Sequence, residues 1–122
     1  MMTLVVESGA NAGASTYFIR AASHNANMFA LDPKSTPTCG QKERWIDPSG
    51  KTKCFTGDNF VDLLKLDWEG VIVRKEIDVE KTLVFVDDHR HAFKRTAHLM
   101  QVGIQHVIIE DNYELNEGAH EC

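Results

Sequence analysis

The sequence has no excess of basic residues. Thirteen Lys and Arg stand against eighteen Asp and Glu, so the formal net charge is −5. A protein that binds nucleic acid or an anionic membrane through phosphates needs clustered positive charge, and this balance argues against both partners. The amino terminus also lacks a basic segment followed by a long apolar run. We therefore expect a soluble, cytoplasmic protein with neither nucleic acid nor membrane as its partner.

Cysteine and proline are scarce. Cys39, Cys54 and Cys122 are an odd number without C-x-x-C spacing, which argues against a disulfide framework or a zinc site. Reduced thiols are expected, although Cys39 and Cys54 could meet across a loop. The three prolines all fall between residues 33 and 48, in the least regular stretch. With 122 residues, the chain 1–122 is expected to form a single domain with one core.

The dinucleotide fingerprint G-x-G-x-x-G is also missing. Residues 3–6 form a short apolar run typical of a central parallel strand, and Glu7, Gly9 and Gly13 follow it as E-x-G-x-x-x-G. A pyrophosphate-binding turn is therefore disfavoured. Helical spacing begins directly afterwards and predicts an apolar helix face made of Ala14, Tyr17, Phe18, Ala21 and Ala22.

Four further strands are predicted, at residues 28–31, 53–56, 83–86 and 107–109. Phe93, Ala97 and Met100 mark one face of a helix that Gly103 ends. Two structures are possible around the third strand. One is a hairpin in which the turn 47–50 joins residues 44–46 to residues 52–55. We favour the other, a short helix over residues 38–45 followed by a parallel strand. Phe60, Leu63 and Leu64 have helical spacing, whereas residues 66–80 show no clear period and place Trp68 against the sheet.

These elements predict an α/β fold with an open parallel sheet of five strands and helices on both faces. Asp32 lies 23 positions after Gly9, where an acidic residue can accept hydrogen bonds from ribose hydroxyls. The alternative is a turn-initiating Asp before Pro33. Asp58 follows the third strand and either faces the same crevice or caps a helix, two roles that can coexist.

Two neighbouring strands each end in a pair of acidic residues, Asp87 with Asp88 and Glu110 with Asp111. Four close carboxylates repel one another unless a cation, a proton or hydrogen-bond donors compensate. A hard divalent ion, Mg²⁺ above all, is suited to oxygen ligands and could orient a substrate hydroxyl, with a carboxylate or His89 as the base. The alternative is that these acids only favour the starts of the following helices.

The turn after the first strand resembles motif I of the class I S-adenosylmethionine-dependent methyltransferases. The wider pattern resembles the metal-dependent sugar O-methyltransferases related to macrocin O-methyltransferase and the cephalosporin hydroxylase-like proteins. The segments that carry this resemblance are Val6-Glu7-Ser8-Gly9, Gly57-Asp58-Asn59-Phe60, Val86-Asp87-Asp88-His89 and Ile109-Glu110-Asp111-Asn112-Tyr113. The family's sheet has seven strands, so the resemblance implies a Rossmann-like sheet with its five strands in the order 3-2-1-4-5 and with the last two strands lacking.

The resemblance implies a role for each matching residue. Glu7, Gly9 and Gly13 would hold the methionine end of S-adenosylmethionine, and Asp58 would contact its adenine. The metal ligands would be Asp87, Glu110 and Asp111. Asp88 or His89 would be the catalytic base.

The expected function is therefore O-methylation of a sugar or other small hydroxyl acceptor, with S-adenosylmethionine as cofactor and Mg²⁺. A non-catalytic, truncated domain of the same fold is the first alternative. A phosphohydrolase of the haloacid dehalogenase type is the second, although the chain has Glu7-Ser8-Gly9 where that chemistry needs a nucleophilic Asp-x-Asp. An exposed strand at the sheet edge could also pair with a second copy, which would give a homodimer.

Overall fold

A computed structural model describes residues 1–10, 14–33, 47–74, 76–87 and 91–110. Its centre is one sheet of five strands that all run in parallel, in the order β3-β2-β1-β4-β5. The strands are β1 (Leu4–Ser8), β2 (Asn27–Asp32), β3 (Thr52–Thr56), β4 (Thr82–Val86) and β5 (His106–Ile109). The predicted fold class and strand order are confirmed.

Three α-helices accompany the sheet in the described residues. They are α1 (Ala14–Ala22), α2 (Trp68–Val73) and α3 (Ala92–Gln101), together with short 3₁₀ turns at Gly57–Asn59, Leu63–Lys65 and Val79–Lys81. All five residues of β1 are buried, as expected for the middle strand of a parallel sheet covered on both faces. Successive side chains of a strand point to opposite faces, so β1 contributes to two cores.

The two cores lie on opposite faces of the sheet. Leu4 and Val6 belong to the larger one, which also contains Trp68 of α2 and Leu99 of α3. Val5 belongs to the smaller one, against which Ile19 of α1 packs. Helices therefore cover both faces, and α1 lies on the face opposite α2 and α3.

The helix α1 forms as predicted, but its apolar face does not pack against the sheet. Phe18 is 70% exposed and Tyr17 is also exposed, whereas Thr16 and Arg20 are buried. The reason is that two carboxylates lie under the helix and need donors: Thr16 bonds Glu7, and Arg20 pairs with Asp47. Burial of these polar partners turns the apolar stripe of α1 toward solvent.

The apolar stripe of α3 likewise lies largely on the solvent side. Phe93 is 89% exposed and Met100 is exposed, while Arg95 and Leu99 are buried. The predicted helix end is confirmed. Gly103 has a φ of +93°, its N–H bonds Met100 O at 3.1 Å, and Ile104 N–H bonds Leu99 O at 3.0 Å, the hydrogen-bond pair of a Schellman motif.

The third strand of the favoured alternative is confirmed, because β3 pairs in parallel with β2. The predicted helix over residues 38–45 and the hairpin strand 44–46 both lie outside the described residues. Cys54 on β3 is an exposed free thiol, and Cys39 and Cys122 also lie outside the described part.

The connection from β3 to β4 contains a helix that the sequence pattern missed. The side chain of Asp67 caps α2 by accepting a hydrogen bond from Gly70 N–H at 3.0 Å. Trp68 is buried and its Nε1–H donates to Leu63 O at 3.0 Å, which confirms its predicted packing against the sheet. The helical spacing of Phe60, Leu63 and Leu64 yields only the 3₁₀ turn Leu63–Lys65.

Candidate functional site at the carboxyl edge of the sheet

All five strands end at one edge of the sheet, because they run in parallel. Hydrogen bonds continue past the last strand residues there: Gly9 N–H donates to Leu31 O at 2.8 Å, and Asp87 N–H donates to Ser8 O at 2.9 Å. Glu110 N–H donates in the same way to Val86 O, at 3.1 Å. The described acidic residues that follow or end the strands therefore share this carboxyl edge.

The strand order of the sheet has a topological switch point at β1. The chain runs from β1 outward through β2 to β3 and then returns to β4 on the other side of β1. A crevice forms at such a reversal because the connections of the two flanking strands leave toward opposite sides. The carboxyl ends of β1 and β4 border this crevice.

Gly9 makes the turn at the end of β1. Its φ of +100° is in a region that residues with a Cβ rarely adopt, so glycine is required there. The backbone then crosses the end of β2, where Gly9 and Ala10 both donate to Leu31 O. Gly13, the second predicted glycine of the motif, lies outside the described residues.

Glu7 lies one residue before the end of β1 and is fully buried. Both of its carboxylate oxygens accept hydrogen bonds from the first turn of α1, one from Ser15 Oγ–H and the other from Thr16 Oγ1–H at 2.5 Å. Glu7 therefore fixes the start of α1 against the sheet. Its direct contact with a cofactor stays a prediction.

Asp32 and Asp58 lie on the β2 and β3 side of the crevice. Asp32 is the last residue of β2, is buried, and pairs in register with Thr56 of β3. Asp58 is exposed within the 3₁₀ turn Gly57–Asn59, whose N-cap residue is Thr56. Asp58 is thus not the cap of this turn, and its role toward the crevice stays a prediction.

Asp87 and Glu110 lie on the β4 and β5 side. They follow Val86 and Ile109, which are paired in register, so the two acids leave neighbouring strands at the same level. Asp87 is partly buried and Glu110 is exposed. Asp88, His89 and Asp111 lie outside the described residues. Within the described part of the chain, no three His, Cys, Asp or Glu side chains form a group that could hold a metal ion.

A partly buried ion pair borders the site, and the sequence pattern did not predict it. Arg95 of α3 is almost completely buried, and its Nη2 lies 3.0 Å from Asp62 Oδ2. Asp62 also accepts a hydrogen bond from Leu64 N–H at 2.9 Å. The pair joins the segment after β3 to the helix after β4. His91, at a φ of +40°, precedes that helix.

A second buried ion pair lies away from this edge, under the last turn of α1. Arg20 Nε is 3.0 Å from Asp47 Oδ2, and Arg20 Nη2–H donates to Thr52 Oγ1 at 3.0 Å. Burial by itself would raise the pKa of Asp47. Hydrogen bonds from Thr52 and Ser49 and the charge of Arg20 outweigh it, so the pKa falls from 3.8 to about 2. Asp47 is therefore an ionised anchor for α1.

Comparison of the chain with protein-family models, with curated proteins and with solved structures gives no match. The described helices include none that is long and apolar enough to cross a membrane.

Proposed function

We propose that this chain binds S-adenosylmethionine at the carboxyl edge of its sheet and transfers the methyl group to a hydroxyl of a sugar or another small acceptor. The observation that carries the proposal is the Gly9 turn at the reversal point. Asp32 ends the strand on one side of it, and Asp87 follows the strand on the other. Nucleotide-like ligands bind at this place in open parallel sheets.

The residues on the β2 side are suited to the nucleoside part of the cofactor. The Asp32 carboxylate can accept a hydrogen bond from each of two neighbouring ribose hydroxyls. Gly9 turns the backbone without a side chain in the way, and Glu7 holds the start of α1 beside it. Asp58, exposed at the end of β3, is assigned to the adenine by the motif resemblance alone.

The residues on the β4 side are suited to the acceptor. A divalent cation would be held by Asp87 and Glu110 together with Asp111, because hard cations prefer carboxylate oxygens. S-adenosylmethionine supplies a methyl group on a positively charged sulfur. The chain's own task is to align the acceptor oxygen with that methyl and to remove the hydroxyl proton, with Asp88 or His89 as the base.

Isothermal titration with S-adenosylmethionine, with and without Mg²⁺, tests the binding step. Asp32→Asn keeps the shape of the side chain but removes its charge and one acceptor, so we expect affinity to fall about tenfold. Glu69→Gln removes a charge from an exposed position on α2 and is the matched control, with affinity unchanged. Equal losses in both variants would argue against a ribose contact at Asp32.

Gly9→Ala tests the turn itself, with Gly50→Ala as the control. Both glycines have positive φ, at +100° and +72°, but Gly50 lies in a turn at the other edge of the sheet with open space around it. Each substitution should cost about 1 kcal/mol of stability through backbone strain. Only Gly9→Ala should also abolish cofactor binding.

Three outcomes of these titrations differ in meaning. Binding together with methyl transfer to glycans or small alcohols supports the whole proposal. Binding that does not respond to Mg²⁺, without transfer to any acceptor, assigns the chain to the non-catalytic alternative. Absence of binding by the wild-type protein overturns the proposal.

A further inference from the structure

A cavity of about 410 Å³ opens at the amino edge of the sheet, at the opposite ends of the strands from the proposed cofactor site. Its lining includes Leu4, Asn27, Phe29, Lys51, Lys53 and Glu76. Ligand cavities in proteins start at about 300 Å³, so this volume is enough for a small organic molecule.

Strand register explains how these side chains come together. Leu4 of β1 is paired with Asn27 of β2, and Phe29 of β2 is paired with Lys53 of β3. Because side chains alternate along strands, all four point to the same face of the sheet. Leu4 and Phe29 belong to the larger core there and give the cavity an apolar floor.

Lys51 directly precedes β3 and continues its alternation of side chains between the two faces of the sheet. Its carbonyl accepts a hydrogen bond from Met28 N–H at 2.9 Å, so the strand ladder extends to it. It stands two residues before Lys53, which places both lysines on the cavity face. Two lysines therefore line the cavity on the same face as the apolar floor.

Among the described lining residues, Glu76 is the only acidic one, and it is already engaged. Arg74 donates to both carboxylate oxygens of Glu76, at 2.5 Å and 3.3 Å. Hydrogen bonding to Arg74 lowers the pKa of Glu76, and the charges of Arg74 and Lys53 act in the same direction. Glu76 is thus a charged carboxylate whose nearest counterion is Arg74.

The two lysines, in contrast, have no salt bridge in the described part of the chain. Lys53 Nζ lies 5.1 Å from the centroid of the Phe55 ring, a cation–π contact, and its charge also acts on Glu76. The described lining residues, with two lysines and one glutamate, therefore carry more positive than negative charge above an apolar floor.

We propose that this cavity binds a small organic monoanion, a carboxylate with a short apolar or aromatic body. Lys51 and Lys53 hold the carboxylate, and the Asn27 amide adds a hydrogen bond. Leu4 and Phe29 cover the apolar part. The site is separate from the proposed methyl transfer, because β1 with its five residues, about 16 Å, lies between the two edges.

Nuclear magnetic resonance titration of the full chain with benzoate and with hexanoate tests this site. We expect saturable shifts of the amide signals of Asn27 and Lys53, while those of Gly9 and Asp87 at the other edge stay constant. Benzyl alcohol, which has a similar body without the charge, should bind at least about tenfold more weakly, since hydrogen bonds to charged groups are the stronger ones.

Variants separate the site from general charge effects. Lys51→Met with Lys53→Met should weaken benzoate binding at least about tenfold, whereas Lys65→Met with Lys94→Met removes the same charge from exposed positions elsewhere and should leave it unchanged. Asn27→Phe keeps both lysines but places a ring in the cavity, so it should also weaken binding. Asn27 is exposed at the start of β2, so this variant is expected to fold.

The proposal is overturned if benzoate and hexanoate cause no saturable shifts, if both lysine pairs affect binding equally, or if the shifts occur at Gly9 and Asp87. None of these results depends on S-adenosylmethionine. Failure here therefore leaves the proposed methyl transfer untouched, and failure of the methyl transfer leaves this site untouched.

Discussion

Two buried carboxylates hold α1 onto the sheet, one near each end of the helix. Glu7 accepts hydrogen bonds from Ser15 and Thr16 at its start, and Asp47 pairs with Arg20 near its end. Ile19 supplies an apolar contact between them. The attachment of α1 is therefore largely polar, unlike that of α3 with its buried Leu99. Polar attachments are sensitive to the loss of one partner.

Substitution of Glu7 tests this attachment. Glu7→Leu removes the acceptor of two hydroxyls, one of them buried, and we expect it to lower the free energy of unfolding by about 1–3 kcal/mol. Urea denaturation measures the change. The triple variant with Ser15→Ala and Thr16→Val removes the orphaned donors and should recover part of the loss. A single variant as stable as the wild type would show that these hydrogen bonds contribute nothing.

Asp47 gives the protein an acid-dependent contribution to stability. Its pKa is about 2 in the folded state against an ordinary 3.8, so the unfolded chain binds the proton more readily. The contribution is fully present above pH 3.8 and is lost as the pH falls through about 2. Denaturation between these limits should show a shallower pH dependence for Asp47→Asn than for the wild type. Parallel curves would contradict this assignment.

At the scale of elements, α1 and α3 each turn an apolar stripe toward solvent. Helical spacing shows only that apolar residues share a face, and the side that packs depends on what the sheet presents. Beneath α1 the sheet presents Glu7, so Thr16 faces inward and Phe18 faces outward. For α3 the inward partner is Asp62, which pairs with Arg95.

This orientation of α1 predicts opposite results for two neighbouring residues. Phe18→Ser should change stability by less than about 0.5 kcal/mol, because the ring is exposed. Ile19→Ala should cost about 2 kcal/mol, because Ile19 packs against the smaller core. Thermal denaturation of the two variants distinguishes them. A larger loss for Phe18→Ser would mean that the stripe packs against something in solution.

At the scale of the whole molecule, the sheet ends at β5, which pairs only with β4 in the described residues. Val107 and Ile109 pack against the larger core, while Ile108 on the other face is 50% exposed. An exposed apolar strand at an edge favours pairing with another chain. The homodimer expected from the sequence remains a prediction with this strand as its contact.

Sedimentation velocity at increasing protein concentration tests that contact. We expect a dimer that Ile108→Lys converts to a monomer, because lysine on an edge strand opposes pairing. Phe93→Lys introduces the same charge at an exposed position on α3 and should leave the dimer intact. A wild-type protein that sediments as a monomer throughout the range would show the prediction to be wrong.

Much of the fold and part of the site follow from local pattern. Short apolar runs such as residues 83–86 end at acidic residues or glycine, so the strands and the chemistry at their ends can be located in the sequence. The turn at Gly9 and the helix end at Gly103 were also predictable, since glycine marks positive φ. The helix α2 was not, because its six residues are too short to show a period.

Residue types at short range are enough to locate the strands and the acidic residues that follow them, whereas the strand order was expected from the family that the motifs resemble. Tertiary structure alone decided which helix faces are buried and which charges are paired. Arg95 and Asp62 are 33 positions apart in the sequence. Arg20 and Asp47 are also distant, because the whole of β2 lies between them. Such pairs depend on how the crossovers place side chains in space, and no local period encodes that placement.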